Sequence, residues 1–287
     1  RQGKRPVITR ISGEGAVQGS TRGGERIVID GTDLGPIFPV SSAFSPKKSP
    51  AATYGKDGTG IEANGCEVKV AHERVVCYTS EGTGFGFGWI LTIGAQSSAP
   101  HFQEFKYQNG TSYAPPLVSS FDVLVPGPDN ALSFSTEGAE TVVIDGSQFG
   151  VVDSAIDAAR YFQEDSDIEF HVDPALCTIV VAHTRMHCQT VPGAGKGLEW
   201  RVVISGQEST NPVTAYAPPH ISDIITDSDF ADSDGGESIT IVGSNFGPPD
   251  GAGPFVDSVT YGVSGIEYRV TDFTVVDHTR IAVVTEP

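Results

Sequence analysis

Apolar positions along this chain come in short, β-branched runs that are broken every few residues by Gly, Pro, Asn, Asp or Ser. Examples are Ile27-Val-Ile29, Val68-Lys-Val70, Trp89-Ile-Leu-Thr-Ile93, Val142-Val-Ile144, Arg201-Val-Val-Ile-Ser205 and Tyr268-Arg-Val270. Such runs predict many short strands, as in sandwiches, and not amphipathic helices. With 34 Gly, 19 Pro and a single Met, helix-favouring stretches are scarce, and the fold class expected is all-β. No apolar run approaches the ~20 residues that a membrane-spanning helix requires.

One block recurs three times: Asp30-Gly-Thr-Asp-Leu-Gly35, Asp145-Gly-Ser-Gln-Phe-Gly150 and Val242-Gly-Ser-Asn-Phe-Gly247. Each copy ends a β-branched run, and each run follows a turn at Gly23-Gly24-Glu25, Glu137-Gly138-Ala139-Glu140 or Gly235-Gly236-Glu237. Spacings near one hundred residues make the repeat unit a whole domain and not a solenoid turn. The expected organisation is three tandem units: residues 1–113 with a Pro/Ser-rich insert, 114–216 with an acidic insert, and 217–287. Cys188-Gln-Thr-Val-Pro192 aligns with Val283-Val-Thr-Glu-Pro287, so the third unit is expected to lack the counterpart of Gly193 to Ala217. A sandwich short of its last strands has an open edge and core, to be closed by a longer native chain or by a neighbouring molecule. The chain also begins without Met or a signal-like segment, which suggests an internal or processed piece.

The cysteines follow the repeat. Cys66 and Cys77 are eleven apart, as are Cys177 and Cys188, and His72 or His183 lies six residues after the first of each pair. In the third unit His278 keeps the register, while Asp272 and Val283 replace both cysteines together. Joint loss is what partners of each other would show, so disulfides Cys66–Cys77 and Cys177–Cys188 are expected. Zinc is the rival reading, and it lacks the close Cys-x-x-Cys pairs of structural zinc sites. Paired cysteines point to an oxidising compartment, and Asn109-Gly-Thr111 is an N-glycosylation sequon that fits the same location.

The net charge of −18 argues against nucleic acid as a partner. It is unevenly spread: the first unit has 12 basic and 10 acidic residues, the second 4 and 14, the third 2 and 12. This asymmetry lets a near-neutral unit approach an acidic one.

Candidate chemistry is thin. His72/Arg74, His183/Arg185 and His278/Arg280 recur in every unit, as framework residues do and catalytic ones seldom do. No Ser sits in a Gly-x-Ser-x-Gly elbow. Gly193-Ala-Gly-Lys-Gly197 lacks the spacing of a phosphate loop and aligns with the turn Gly82-Thr-Gly-Phe-Gly86. Calcium is the candidate ion, at the acidic run Asp227, Asp229, Asp232 and Asp234 before Gly235, although the spacing is not that of an EF-hand. No cofactor is required.

As a set, these motifs resemble tandem IPT/TIG domains, immunoglobulin-like sandwiches of the plexin and fibrocystin-like kind. The fragments carrying the resemblance run through all three units. They are Pro6-Val-Ile8, Pro116-Leu-Val118 and Pro219-His-Ile221; Tyr54-Gly55 and Tyr261-Gly262; the three His-x-Arg sites; and Gly94-Ala-Gln96-Ser97 with Gly206-Gln207-Glu-Ser209. The resemblance implies either a place beside a DNA-binding region or a tandem extracellular rod, and acidity with paired cysteines selects the second. Nearly identical joints, Tyr113-Ala-Pro-Pro116 and Tyr216-Ala-Pro-Pro219, predict semi-rigid spacers. Specific contacts are expected at the inserts, Pro36–Pro50 and Glu164–Glu169, where Ser45-Pro46 and Ser49-Pro50 suit O-linked sugars.

The function expected is thus a non-enzymatic extracellular or cell-surface segment that is structural or adhesive, a semi-rigid rod that presents loops for protein contacts and assembles into a larger surface or filament structure. Its partners would be other protein chains, copies of itself included, or glycans, with no membrane contact in this segment. The alternative is a receptor ectodomain fragment that binds a protein or glycan ligand.

Overall fold

The structure is a computed structural model that describes residues 4–37, 50–123, 133–163, 169–209, 213–226, 233–249 and 255–287. It is all-β, with two single-turn helices at Glu14–Ala16 and Pro174–Leu176 among the described residues.

The same four-stranded antiparallel sheet forms three times. In chain order its strands are Val7–Ser12, Arg26–Thr32, Asn64–Val70 and Arg74–Tyr78, then Leu117–Val123, Thr141–Ser147, Cys177–Val181 and Arg185–Gln189, then His220–Thr226, Ser238–Ser244, Phe273–Asp277 and Arg280–Val284. In every copy the first strand pairs the second, the second pairs the fourth, and the fourth pairs the third. The first strand bulges at the same place each time, at Ile8/Arg10, Val118/Ser120 and Ile221/Asp223.

The repeated Gly of the signature block has a steric cause. A Cβ on Gly31, Gly146 or Gly243 would lie 2.0, 2.1 or 1.9 Å from the carbonyl oxygen of Val7, Leu117 or His220, so only glycine admits the first strand. The block then docks on the His-x-Arg turn: Leu34, Phe149 and Phe246 donate their backbone N–H to the carbonyls of His72, His183 and His278 at 3.1, 3.3 and 3.0 Å.

A second sheet covers the first in two of the three repeats. It contains Ala51–Gly55 beside Phe85–Ile93 and Thr111–Ser112 in the first, and Ile156–Gln163 beside Leu198–Ile204 and Val213–Tyr216 in the second. Between the sheets Tyr54 stacks on Trp89 at 4.4 Å and Tyr161 on Trp200 at 4.5 Å, all four fully buried. Aromatic pairs of this size dominate core energetics through the area they bury. A second tyrosine closes each core, with the Tyr54 and Tyr113 hydroxyls 2.6 Å apart and those of Tyr161 and Tyr216 2.5 Å apart.

In the third repeat the second sheet consists, among the described residues, of Thr260–Tyr261 and Tyr268–Arg269. Ile8 and Ile11 are 6% and 1% exposed, whereas Ile221 and Ile224 at the matching places are 56% and 54% exposed. The face that is core elsewhere therefore borders an open cavity of about 810 Å³, lined by Ile221, Ile224, Ile241, Phe246, Tyr261 and Ile281 among others. Tyr261 still makes the backbone contacts of its counterparts, donating to the Glu286 carbonyl and accepting from the Glu286 N–H at 2.9 Å each.

Candidate functional site

Cys66–Cys77 and Cys177–Cys188 are bonded, each joining neighbouring antiparallel strands with Cα atoms 4.1 Å apart. Cys77 and Cys188 are fully buried in their cores, and there is no free cysteine among the described residues. The zinc alternative has no thiolate left to use.

Of the His-x-Arg sites, the arginines tie the framework. Arg74 Nε donates to Asp30 at 2.6 Å, and Arg185 grips Asp145 with two bonds of 2.7 and 3.0 Å. Val242 occupies that acidic position in the third repeat, and Arg280 turns to Asp277 instead, at 2.9 and 2.5 Å. Arg280, followed by Thr279, holds the Asp277 carboxyl well below the usual carboxylate range. These pairs are exposed and screened by solvent, so each contributes little to stability.

Asn109 is exposed at the end of a two-residue strand pair. Thr111 of the same sequon is buried, and its hydroxyl accepts the indole N–H of Trp89 at 2.8 Å. Asp227, Asp229 and Asp232 lie outside the described residues; Asp234 is exposed in the turn before Gly235. No group of three metal-ligating side chains occurs among the described residues. Most of the two inserts, 38–49 and 164–168, also lies outside the described residues.

The histidines do more than brace a turn, because they reach the preceding repeat. His183 is 4% exposed, and its Nδ1 lies 2.8 Å from the Thr21 hydroxyl. Gln148 Oε1 accepts both the Thr21 N–H at 2.9 Å and its O–H at 3.0 Å. Thr21 has one hydroxyl proton, and an amide oxygen can only accept, so His183 Nδ1 carries the hydrogen and donates to Thr21. His183 Nε2, on the far side of the ring, stands 3.6 Å from the Glu81 carboxylate. Both Gln148 (φ 65°) and His183 (φ 67°) have left-handed backbones, which aims their side chains out of their own sandwich.

A second contact brackets this one. The hydroxyls of Thr83 and Ser205 are 2.7 Å apart, and Gln207 accepts the Gly84 N–H at 3.2 Å while donating to the Tyr113 carbonyl at 2.8 Å. A Cβ on Gly150 would lie 2.3 Å from the Thr83 methyl, so this glycine permits close approach. The connecting segment is anchored too, with the Ala114 N–H on the Gly19 carbonyl at 2.7 Å.

The next joint repeats the arrangement. His278 Nδ1 is 3.0 Å from the hydroxyl of Thr136, which is 1% exposed and matches Thr21. Asn245 replaces Gln148, is one methylene shorter, and donates to the Pro218 carbonyl at 3.3 Å. Phe170 and Phe255 stack across this joint at 6.0 Å. The turns that present the threonines are built alike: Glu25 and Glu140 accept the N–H of Ser20 and Ser135 at 2.7 and 2.5 Å.

Sequence reasoning read the His-x-Arg sites as framework alone and missed these joints. The available signal was paired recurrence, with Thr21 and Thr136 at one place of the repeat and His183 and His278 at another. Chemically, the first joint holds hydroxyl, imidazole and amide groups in mutual hydrogen bonds, and the second pairs hydroxyl with imidazole, which fixes orientation.

No protein-family model matches the chain, and no curated protein matches it either. Among solved structures it is similar to SGBP-B from a complex xyloglucan utilization locus in Bacteroides uniformis, with 12% identity, 99% of this chain and 94% of that chain covered, and a TM-score of 0.28. It is similar to the N-terminal eight Ig domains of Down Syndrome Cell Adhesion Molecule isoform 1.30.30, with 14% identity, 99% and 38% covered, and a TM-score of 0.21. The FN1–FN3 domains of chicken CNTN1 give 11% identity, 99% and 94% covered, and a TM-score of 0.22. These scores are low, and no property of this chain rests on them.

Proposed function

We propose that this segment is a non-enzymatic extracellular or cell-surface rod of IPT/TIG-type repeats, with domains at 1–113, 114–216 and an incomplete 217–287. The observation that carries the reading is the recurring joint, in which a buried threonine of one repeat meets a histidine of the next at 2.8 and 3.0 Å. Two hydrogen-bonded joints in series, each reinforced by a Pro-Pro connection, favour one relative orientation over free hinging. The two disulfides support an oxidising compartment. Such a rod works by spacing and by presenting loops to protein or glycan partners.

Small-angle scattering of the chain tests this. A single elongated form is expected, and a broad distribution of interdomain distances would sink the rod. Repeating the measurement in calcium and in EDTA tests the proposal that Asp227, Asp229, Asp232 and Asp234 bind calcium beside the second joint. Secretion from a eukaryotic host followed by deglycosylation tests Asn109, where a loss of mass is expected and is abolished by Asn109→Gln.

A further inference from the structure

The joint between the first and second repeats holds a group that its hydrogen bonds leave unused. His183 Nδ1 is committed, since it carries the ring hydrogen and donates to Thr21 at 2.8 Å. In the neutral ring Nε2 is then a bare lone pair. It is buried with no hydrogen-bond partner among the described residues, and it faces the Glu81 carboxylate of the preceding repeat at 3.6 Å. A lone pair and a carboxylate are both acceptors, so nothing joins them until a proton arrives. Resting on the rod reading of this joint, we infer that the joint is proton-responsive: protonation of His183 at Nε2 bonds it to Glu81 and closes the joint more firmly in mild acid.

Protonation leaves the existing contact in place. Nδ1 is a donor in both states of the ring, so the bond to Thr21 survives, and Gln148 still accepts from the Thr21 hydroxyl at 3.0 Å. Nε2 becomes a second donor, aimed across the joint. The Glu81 side chain is 60% exposed, so it can close to the ~2.7–2.9 Å of a charge-assisted bond. Burial of the ring opposes its charge, and the carboxylate beside it favours that charge. The neutral ring also leaves a buried polar atom unsatisfied, a penalty that the new bond removes.

Other charged groups on the surrounding elements are engaged or exposed. On the Thr21 turn, Glu25 accepts the Ser20 N–H at 2.7 Å and Arg22 is exposed. In the second repeat Arg185 is paired with Asp145 at 2.7 Å, and Asp153, in the turn after Gly150, is exposed. Glu81 is the one carboxylate paired with this ring among the described residues. The second joint differs, because Pro192 stands at the place of Glu81, and Glu137 on the Thr136 turn is exposed.

By linkage, a joint that binds a proton when closed and releases it when open is strengthened as pH falls through the range where histidine titrates, about pH 8 to 5. Two backbone N–H groups report closure directly, because their acceptors lie in the other repeat. Thr21 N–H bonds Gln148 Oε1 at 2.9 Å, and Gly84 N–H bonds Gln207 Oε1 at 3.2 Å. Hydrogen exchange of the full chain at pH ~5.5 and ~7.5, divided by the intrinsic rate at each pH, tests the inference. Protection of both groups should be ~5-fold or more higher at the lower pH, while that of the core strand Arg26–Thr32 stays level. In Glu81→Gln, whose uncharged amide bonds Nε2 in either state of the ring, protection should be the same at both pH values. Equal protection of the wild type at both pH values would overturn the inference while leaving the joint intact. A pH response that persists in Glu81→Gln would overturn it too, by assigning the proton to another group. Exchange at the intrinsic rate at every pH would mean that the joint does not form, and the rod reading would fall with it.

Discussion

His183 Nδ1 donates to the hydroxyl of Thr21, 162 residues earlier, at 2.8 Å, and both side chains are buried where two sandwiches meet. Thr21→Val keeps the shape and removes the acceptor, leaving a buried imidazole N–H unpaired at a cost of about 1–3 kcal/mol. The cost falls on the joint and not on either core. Hydrogen exchange should therefore quicken around Gln148–Gly150 and His183 while the core strands stay protected, and Thr21→Ser should restore protection. Unchanged exchange in Thr21→Val would show that the contact does not hold the joint.

The tyrosine pairs make the fold sensitive to alkali. Burial pushes the hydroxyls of Tyr54, Tyr113, Tyr161 and Tyr216 above the ordinary tyrosine pKa, and in Tyr113 and Tyr216 the neighbouring tyrosine adds to the shift. A raised folded pKa means that the folded state keeps a proton the unfolded chain releases. Stability is thus whole below pH ~10 and falls as pH rises above it, by as much as ~1.4 kcal/mol per pH unit for each suppressed group. The urea midpoint should drop as pH rises from ~10 to ~11.5, and four of the eight tyrosines should ionise only on unfolding. Free titration of all eight in the folded protein would contradict the buried pairs.

The third repeat should open first. Ile221 and Ile224 forgo most of the ~1.5–3 kcal/mol that burial of such a side chain supplies. Both tryptophans, Trp89 and Trp200, sit in the other two repeats. On heating, a dye that binds exposed apolar surface should respond before tryptophan fluorescence does. Coincident transitions would mean that the third repeat is as stable as its neighbours.

The disulfides can be ranked against chain entropy. Each closes a loop of eleven residues in sequence separation, worth about 3 kcal/mol in the loop-closure picture. Replacing Cys66 and Cys77 together by Ala should lower the stability of the first repeat by about that amount and leave the second unchanged. The third repeat shows that the sheet forms without a bridge, since Val284 N–H still bonds the Asp272 carbonyl at 3.0 Å. Equal loss in both repeats would argue for one cooperative unit in place of independent cores.

The chain by itself determined the β-class, the repeat and the two cysteine pairs, because each is written in local pattern. Alternating runs bury one face, glycine marks where backbones nearly touch, and cysteines that vanish together are partners. Gly31, Gly146 and Gly243 show how legible this is, since one residue type satisfies one steric demand at three equivalent places. The joints were decided only by the tertiary structure. Thr21 and His183, or Thr136 and His278, meet across 162 and 142 residues, and no local periodicity links a turn of one sandwich to a turn of the next. A histidine in a recurring turn reads equally well as framework until folding aims its left-handed backbone at a neighbour. Packing between whole domains selects the hydrogen-bond partners, and that selection arises in three dimensions because the groups involved are common and the pairing is not.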